Sequence, residues 1–181
     1  VNPDFNTDIA SWGNEDTSAG VTAAWSQDAA VYRTAPGSAK CVVSAAPAGA
    51  WHSYRDQTVA NIPINTMVEA GFWVRTTNVS LKASISLNLV ANGDNLVVSY
   101  VYTLPSTGAW RSIGCGGLMP IGDGLGSTGT AKVTIGIVAT GAVTGTMYFD
   151  DGSLGPPNLY IAESAMGTLA IGAEWTEAWH S

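Results

Sequence analysis

The chain contains 181 residues, which suits a single domain with a full hydrophobic core, or one domain with an appendage. Charged residues make up 12%, and the net charge of −7 with seven Lys and Arg residues argues against a nucleic-acid partner. No apolar run approaches the ~20 residues of a membrane span. The abundance of glycine and of neutral polar residues predicts an all-β protein with many turns.

Short strand-like runs follow one another along the chain and are separated by turn residues. They cover residues 21–26, 29–33, 40–44, 51–60, 67–75, 80–90, 96–104, 110–115, 131–139 and 146–154. The Asn92-Gly93 pair between two alternating runs predicts a β-hairpin, and no long helix is expected before residue 158. The series predicts a jelly-roll β-sandwich of two antiparallel sheets over residues 1–157, followed by a C-terminal extension over residues 158–181.

The run over residues 67–75 alternates strictly between the two faces of a strand. Its apolar face carries Val68, Ala70, Phe72 and Val74. Its other face carries Glu69, Trp73 and Arg75. An aromatic ring with hydrogen-bonding neighbours is the chemistry that polar, disc-shaped ligands such as sugars require. The alternative is a half-exposed Trp73 that is covered by a loop.

Five motifs follow one another between residues 2 and 154. They are Asn2-Pro-Asp-Phe-Asn-Thr-Asp8 with Ser11-Trp-Gly13, then Pro36-Gly-Ser-Ala-Lys-Cys-Val-Val43, Glu69-Ala-Gly-Phe-Trp-Val-Arg75, Gly108-Ala-Trp-Arg111 and Met147-Tyr-Phe-Asp-Asp-Gly-Ser-Leu154. In this order they resemble the entry segment and the strands of family 4/9/22-type carbohydrate-binding modules.

The resemblance implies a galactose-binding-like jelly roll with a glycan cleft on its concave face and a structural calcium near the chain ends. The same scaffold recurs in minor tail and other structural proteins of bacteriophages. For calcium, the resemblance points to Asp150, with Asp4 or the backbone of the first loop as partners, and the alternative is that Asp150 caps a turn. Asn6 and Gly152 depart from the family pattern.

The residues expected to bind a glycan are of two kinds. Trp51, at a loop edge, and Trp73, on the concave face, are expected to stack on sugar rings. Hydrogen bonds to sugar hydroxyl groups are expected from Tyr54, Arg55, Glu69, Arg75 and Asn88. For Trp51, the alternative is a hydrophobic plug under a loop.

The sequence contains no pattern typical of a catalytic site. Neither a G-x-S-x-G elbow nor an HExxH motif is present, and the histidines are His52 and His180. Asp150 and Asp151 are adjacent in a predicted strand, so their side chains are expected on opposite sides, which does not suit an acid–base pair. We therefore expect a non-enzymatic protein whose one candidate cofactor is structural calcium.

Two cysteines, Cys41 and Cys115, lie far apart in the sequence. Neither belongs to a CxxC pair or has a histidine at ligand spacing, so a zinc site is not expected. They form either one disulfide or two small, buried apolar side chains.

The C-terminal extension is rich in aromatic residues, including Tyr160, Trp175 and Trp179, and is unlike a flexible linker. It is expected to dock on other structural subunits. This leaves two hypotheses for the protein, which is expected on the virion surface or in another extracellular setting. It is a glycan-binding or surface-attachment module with a polysaccharide or cell-surface glycan as partner, or it is a virion structural protein such as a capsid decoration or minor tail component.

Overall fold

The computed structural model describes Phe5, residues 9–34 and residues 36–156, and this part of the chain is all β. Its strands are β1 (Gly13–Thr17), β2 (Thr22–Asp28), β3 (Ser38–Ala45), β4 (Ala50–Pro63), β5 (Met67–Thr76), β6 (Lys82–Ala91), β7 (Asp94–Tyr102), β8 (Arg111–Leu118), β9 (Thr128–Thr140) and β10 (Gly145–Gly155). The prediction of an all-β sandwich with two antiparallel sheets is confirmed.

The strands form two five-stranded sheets. Sheet 1 has the order β1-β4-β9-β6-β7, and sheet 2 has the order β2-β3-β10-β5-β8. Neighbouring strands pair antiparallel throughout both sheets. Sequence neighbours are often in different sheets, so most pairings join distant parts of the chain.

The core lies between the two sheets and is built from the apolar members of alternating strands. On β6, Ile85, Leu87 and Leu89 are fully buried, while Ser86 and Asn88 on the opposite face are partly exposed. β9 supplies Ile135 and Ile137 in the same way. Sheet 2 contributes buried residues that include Phe72, Val74, Met147 and Phe149. Burial of this apolar surface is the main force that holds the sheets together.

The first two strands differ from the prediction. β1 was not predicted, because its sequence Gly-Asn-Glu-Asp-Thr has no apolar alternation. The predicted strand over residues 29–33 is instead part of the β2–β3 loop. Asp28 explains this difference, because its Oδ1 accepts hydrogen bonds from the backbone N–H groups of Ala30 and Val31, at 2.8 and 2.9 Å. Such a turn ends β2 at Asp28.

The sequence predicted that Asp150 and Asp151 point to opposite sides of a strand. In the structure, both side chains contact the same loop. The register of β10 against β5 shifts between Asp150 and Ser153, and Asp151 has a positive φ of 47°. This β-bulge turns the backbone locally. As a result, both carboxylates contact the β2–β3 loop, at Arg33 and Thr34.

Both cysteines are buried, and they are not joined by a disulfide. Cys41 lies on β3 and Cys115 on β8, which are three strand steps apart in sheet 2, or roughly 14 Å at the usual strand spacing. A disulfide requires Cα atoms within about 7 Å, so these cysteines pack as small apolar side chains. Burial raises the pKa of the Cys115 thiol to about 11.

The C-terminal extension, with Tyr160, Trp175 and Trp179, lies outside the described residues, as does Asp4. The boundary expected near residue 157 therefore stays a prediction. Within the described part of the chain, the structure has no helix that is long and apolar enough to cross a membrane.

Candidate functional site

The outer face of sheet 1 carries a tyrosine side chain that crosses the neighbouring strand. Tyr54 on β4 pairs with Gly136 on β9, which in turn pairs with Ser84 on β6. A Cβ atom on Gly136 would lie 2.3 Å from Cδ1 of Tyr54, so the ring occupies the space that any other residue would fill. The Tyr54 hydroxyl reaches across β9 to hydrogen-bond with Ser84, and burial raises the pKa of Tyr54. The result is an aromatic platform on the sheet surface.

His52, two residues before Tyr54 on β4, stacks against one face of the Tyr54 ring. The rings of His52 and Tyr54 stack with centroids 4.5 Å apart and planes 11° from parallel. The Ser18 hydroxyl lies 3.0 Å from His52 Nδ1 and accepts the His52 backbone N–H, also at 3.0 Å. Nε2 lies 3.4 Å from the Asp16 carboxylate. These contacts from the β1 side fix the orientation of the imidazole.

A cavity of about 360 Å³ opens beside the two rings. Val138 lies between His52 and Lys82 in register, and Val101 pairs with Ser84 in the next row of the sheet. The cavity is lined by Ala50, Trp51, His52, Tyr54, Lys82, Val101, Val138, Ala139 and Thr140. Its volume lies within the ~300–1,000 Å³ that small-molecule pockets commonly have.

Asn88 continues the same face of sheet 1 on β6, where it pairs with Lys132 of β9. Its Oδ1 atom is buried and makes no hydrogen bond within the described part of the chain. Lys132 itself lies 3.5 Å from Asp56. Of the residues expected to bind a glycan, Tyr54 and Asn88 are thus the two that share this face.

Trp51 and Arg55 lie on the inner side of the same strand. Trp51 is 3% exposed, and its Nε1 donates a hydrogen bond to the Gly141 carbonyl at 2.9 Å. Arg55 donates from NH1 to the Trp12 carbonyl at 3.2 Å. Trp51 therefore sits under the β9–β10 loop as a plug, and its ring is not presented for stacking at the surface.

Glu69, Trp73 and Arg75 lie on the outer face of sheet 2, on β5. Packed sheets are about 10 Å apart, so this face is on the far side of the sandwich from Tyr54 and Asn88. The structure therefore does not bring the seven expected residues together. Sequence alternation gives the face of each residue within its strand, but it does not tell which sheet the strand joins.

A loop covers Trp73. The Arg33 guanidinium carbon lies 4.0 Å from the centroid of the Trp73 ring, and Arg33 also forms an ion pair with Asp151. The half-buried Trp73 thus matches the alternative in which a loop lies over it. The Arg33 cation thus already covers one face of the Trp73 ring.

Backbone N–H groups contact both carboxylate oxygens of Asp150. Its side chain is fully buried, and Oδ2 accepts hydrogen bonds from the N–H groups of Arg33 and Thr34, at 2.7 and 3.1 Å. Oδ1 accepts the N–H of Asp151 at 2.8 Å. These N–H groups direct their positive ends at the carboxylate, where a cation would need oxygen ligands. Among the described residues, no three His, Cys, Asp or Glu side chains come together around a possible metal ion.

The sequence analysis missed three parts of the sheet 1 face, namely His52 as a stacking partner, Lys82 and Gly136. One signal for Gly136 was present, because a glycine inside an otherwise apolar strand often marks a close approach of another group. The spacing of His52 and Tyr54, two residues apart, was a second signal, because it places both rings on one face of a strand.

Comparison with known proteins gives matches to solved structures. No family model matches the chain, and no curated protein matches it. A carbohydrate-binding module of the β-sandwich superfamily matches with a TM-score of 0.60 and 12% identity, over 83% of this chain and 60% of that one. A family 61 module in complex with β-1,4-galactotriose matches with a TM-score of 0.53 and 16% identity, over 86% of this chain and 96% of that one.

The chain has the β-sandwich fold of carbohydrate-binding modules. A third match is the enzymatically active domain of tailspike protein 4 of bacteriophage CBA120, with a TM-score of 0.58 and 14% identity. That match covers 87% of this chain, which spans 21% of the tailspike chain. At these identities, the likeness describes the fold of this carbohydrate-binding-module-type sandwich, and its site has to be argued from its own residues.

Proposed function

We propose that the protein is a non-catalytic glycan-binding module whose site is the outer face of sheet 1, centred on Tyr54. The observation that carries the proposal is the aromatic pair on this face, in which the Tyr54 ring lies against Gly136 and stacks with the ring of His52. A flat aromatic surface that is held in place can stack on the C–H face of a sugar ring without losing side-chain freedom on binding.

Polar groups around the platform supply the hydrogen bonds that hydroxyl groups need. Ser86 and Asn88 of β6 face the same side as Tyr54 and are partly exposed, whereas Ser84 is buried and hydrogen-bonds with the Tyr54 hydroxyl. Val97 and Val101 of β7 are more than half exposed, so the outer face of sheet 1 also presents apolar side chains between its polar groups. This mixture of small polar, apolar and aromatic groups suits an uncharged sugar surface.

Two acidic side chains described on this face contact a lysine and an imidazole, which favours a binding role. Asp56 contacts Lys132, and Asp16 contacts His52. A general acid or base has to reach the substrate with a proton to give or take, and these carboxylates face cationic or imidazole partners instead.

A glycan array followed by titration calorimetry of the best ligand tests the proposal. Tyr54→Ala is expected to weaken binding by about tenfold or more, since stacked aromatic contacts contribute ~1 kcal/mol beyond the area they bury. Trp73→Ala, on the far face, is the matched control and is expected to bind as the wild type does, with circular dichroism confirming that both variants are folded under the binding conditions. The proposal fails if the array shows no ligand, or if Trp73→Ala abolishes binding while Tyr54→Ala does not.

A second candidate is a virion structural component, such as a capsid decoration or minor tail protein. The fold match to a phage tailspike domain favours it. Met67 and Leu118 favour it as well, because they pair on the outer face of sheet 2 and are 46% and 49% exposed. They lie next to the pairing of Gly155 with Glu69, where the described chain ends. A docked neighbour would cover such an apolar pair, and both candidates place the protein outside the cell or on a virion surface.

A further inference from the structure

We propose that the cavity beside Tyr54 takes a sugar residue that carries a carboxylate, such as a uronic acid, with Lys82 as the group that recognises its charge. The inference rests on the proposed function, because it assigns a ligand class to one part of the same glycan-binding face. Its basis is that Lys82, unlike the other lysines of the chain, forms no ion pair with a carboxylate of the described residues.

The chain has three lysines, and two of them are paired. Lys40 contacts Asp28 at 2.8 Å, and Lys132 contacts Asp56 at 3.5 Å. Lys82 is exposed at the cavity, and no carboxylate in the described residues forms an ion pair with it. An ammonium group at the edge of a cavity, with no acid beside it, is available to a ligand anion.

Lys82 and the aromatic pair of His52 and Tyr54 lie on opposite sides of the cavity. His52 and Lys82 stand on either side of Val138 in register, two strand spacings or roughly 10 Å apart along the sheet. One sugar ring placed over Val138 therefore contacts the His52–Tyr54 side with one edge and directs a substituent on the other edge to Lys82. Thr140, on the same lining, offers a hydroxyl group to the ring.

The charge of the whole protein narrows the ligand class further. The net charge of −7 repels a polymer that carries a carboxylate on every residue, because such a chain would run past other acidic groups. A single ligand carboxylate in contact with Lys82 is attracted by the ammonium group at short range. Repulsion from the more distant acidic groups of the protein is largely screened at physiological salt. The favoured ligand is thus a mostly neutral glycan with one acidic residue, not a polyuronate.

The test is a set of oligosaccharide pairs that differ in one group. β-1,4-Galactotriose, a xylotriose and a cellotriose are each compared with a counterpart whose non-reducing terminal residue is the corresponding uronic acid or, for xylotriose, a glucuronic acid. Wild-type protein is expected to bind an acidic member about tenfold more tightly than its neutral counterpart at low salt, with the difference shrinking as NaCl is added.

Lys82→Met removes the charge and keeps the aliphatic part of the side chain, and Lys132→Met is the matched control on the same face. The acid preference is expected to disappear in Lys82→Met and to persist in Lys132→Met, with circular dichroism confirming that both variants fold. Equal binding of acidic and neutral members by the wild type, or a preference that survives in Lys82→Met, overturns this inference and leaves the proposed function standing. Absence of binding to every member and to a broad glycan array overturns both.

Discussion

The Arg33 guanidinium lies over the ring of Trp73, with 4.0 Å between its central carbon and the ring centroid. The loop that carries Arg33 is held down by two adjacent aspartates. Asp150 accepts the backbone N–H groups of Arg33 and Thr34, while Asp151 binds their side chains. The Trp73 ring therefore lies under the β2–β3 loop, where Arg33 contacts it.

The first prediction concerns this contact. Trp73→Ala is expected to lower the free energy of unfolding by about 2–4 kcal/mol, because it removes a half-buried aromatic ring and the cation–π contact with Arg33. Urea unfolding, followed by the far-ultraviolet circular dichroism, measures the change. Arg33→Met keeps much of the packing and is expected to cost about 0.5–1 kcal/mol. Equal stability of Trp73→Ala and wild type would contradict a supporting role for the ring.

The second prediction concerns pH, because two aspartates that bind backbone N–H groups of this loop have pKa values shifted in opposite directions. Burial raises the pKa of Asp150 above its ordinary value of 3.8, so the folded protein keeps a proton that the unfolded chain has released. The folded state then binds more protons, and the contribution of Asp150 to stability falls as the pH rises through its folded pKa. The hydrogen bond from Lys40 lowers the pKa of Asp28, so the contribution of Asp28 is present above 3.8 and is lost as the pH falls.

Melting temperatures of the variants between about pH 3 and 6 separate the two effects. Asp150→Asn is expected to melt lower at neutral pH, because its amide nitrogen cannot accept the Asp151 N–H, and its deficit is expected to widen as the pH falls. Asp28→Asn is expected to show the reverse, with a deficit that narrows toward acid pH. Parallel pH profiles for wild type and Asp150→Asn would rule out the assigned titration of Asp150.

Strands with regular apolar and polar alternation can be predicted from the sequence, because this pattern is visible within a single short stretch of the chain. β6 and β9 have their apolar residues buried and their polar residues outside, as the pattern of residues 80–90 and 131–139 indicates. The end of β2 was not predicted, because it depends on which backbone groups the Asp28 side chain binds. The site was predicted in part, since Tyr54 and Asn88 face outward on one sheet.

The rest of the site depends on pairings between distant strands, which no local pattern encodes. Whether Trp73 and Tyr54 share a face is decided by β5 joining β10 and β8, while β4 joins β1 and β9. The platform itself requires Gly136 to pair with Tyr54, a contact between residues far apart in the chain. Such long-range pairings arise from the fold as a whole, so residue types alone could not assemble the seven candidates into one site.

The third prediction concerns metal. Since the oxygens of Asp150 accept N–H groups, we expect EDTA and added CaCl₂ to leave the melting temperature of the full chain unchanged. A calcium ion bound to the folded state at 100 times its dissociation constant would add about 2.7 kcal/mol, which differential scanning calorimetry resolves easily. A rise in melting temperature with calcium that Asp4→Asn abolishes would contradict this expectation and restore the site implied by the family resemblance.

The last prediction concerns the C-terminal extension, and it decides between the two candidate functions. The segment 159–181 carries Tyr160, Trp175 and Trp179, and leaving these aromatic side chains in water would expose an apolar surface that soluble monomers rarely tolerate. Burial yields about 25 cal/mol per Å² of apolar area, which favours docking on a neighbour. Deletion of residues 159–181 is expected to leave the sandwich folded, as judged by circular dichroism, and to abolish self-association in analytical ultracentrifugation or incorporation into a larger particle.

Two double variants identify the residues responsible. Trp175→Ala with Trp179→Ala is expected to reproduce the deletion, whereas Glu174→Ala with Glu177→Ala, which alters charge in the same segment, is expected to assemble as the wild type does. If the truncated protein assembles as well as the full chain, the structural-component candidate fails. Because the platform of Tyr54 and His52 lies on sheet 1, the truncated protein is expected to keep its glycan affinity, and the binding function would then stand alone.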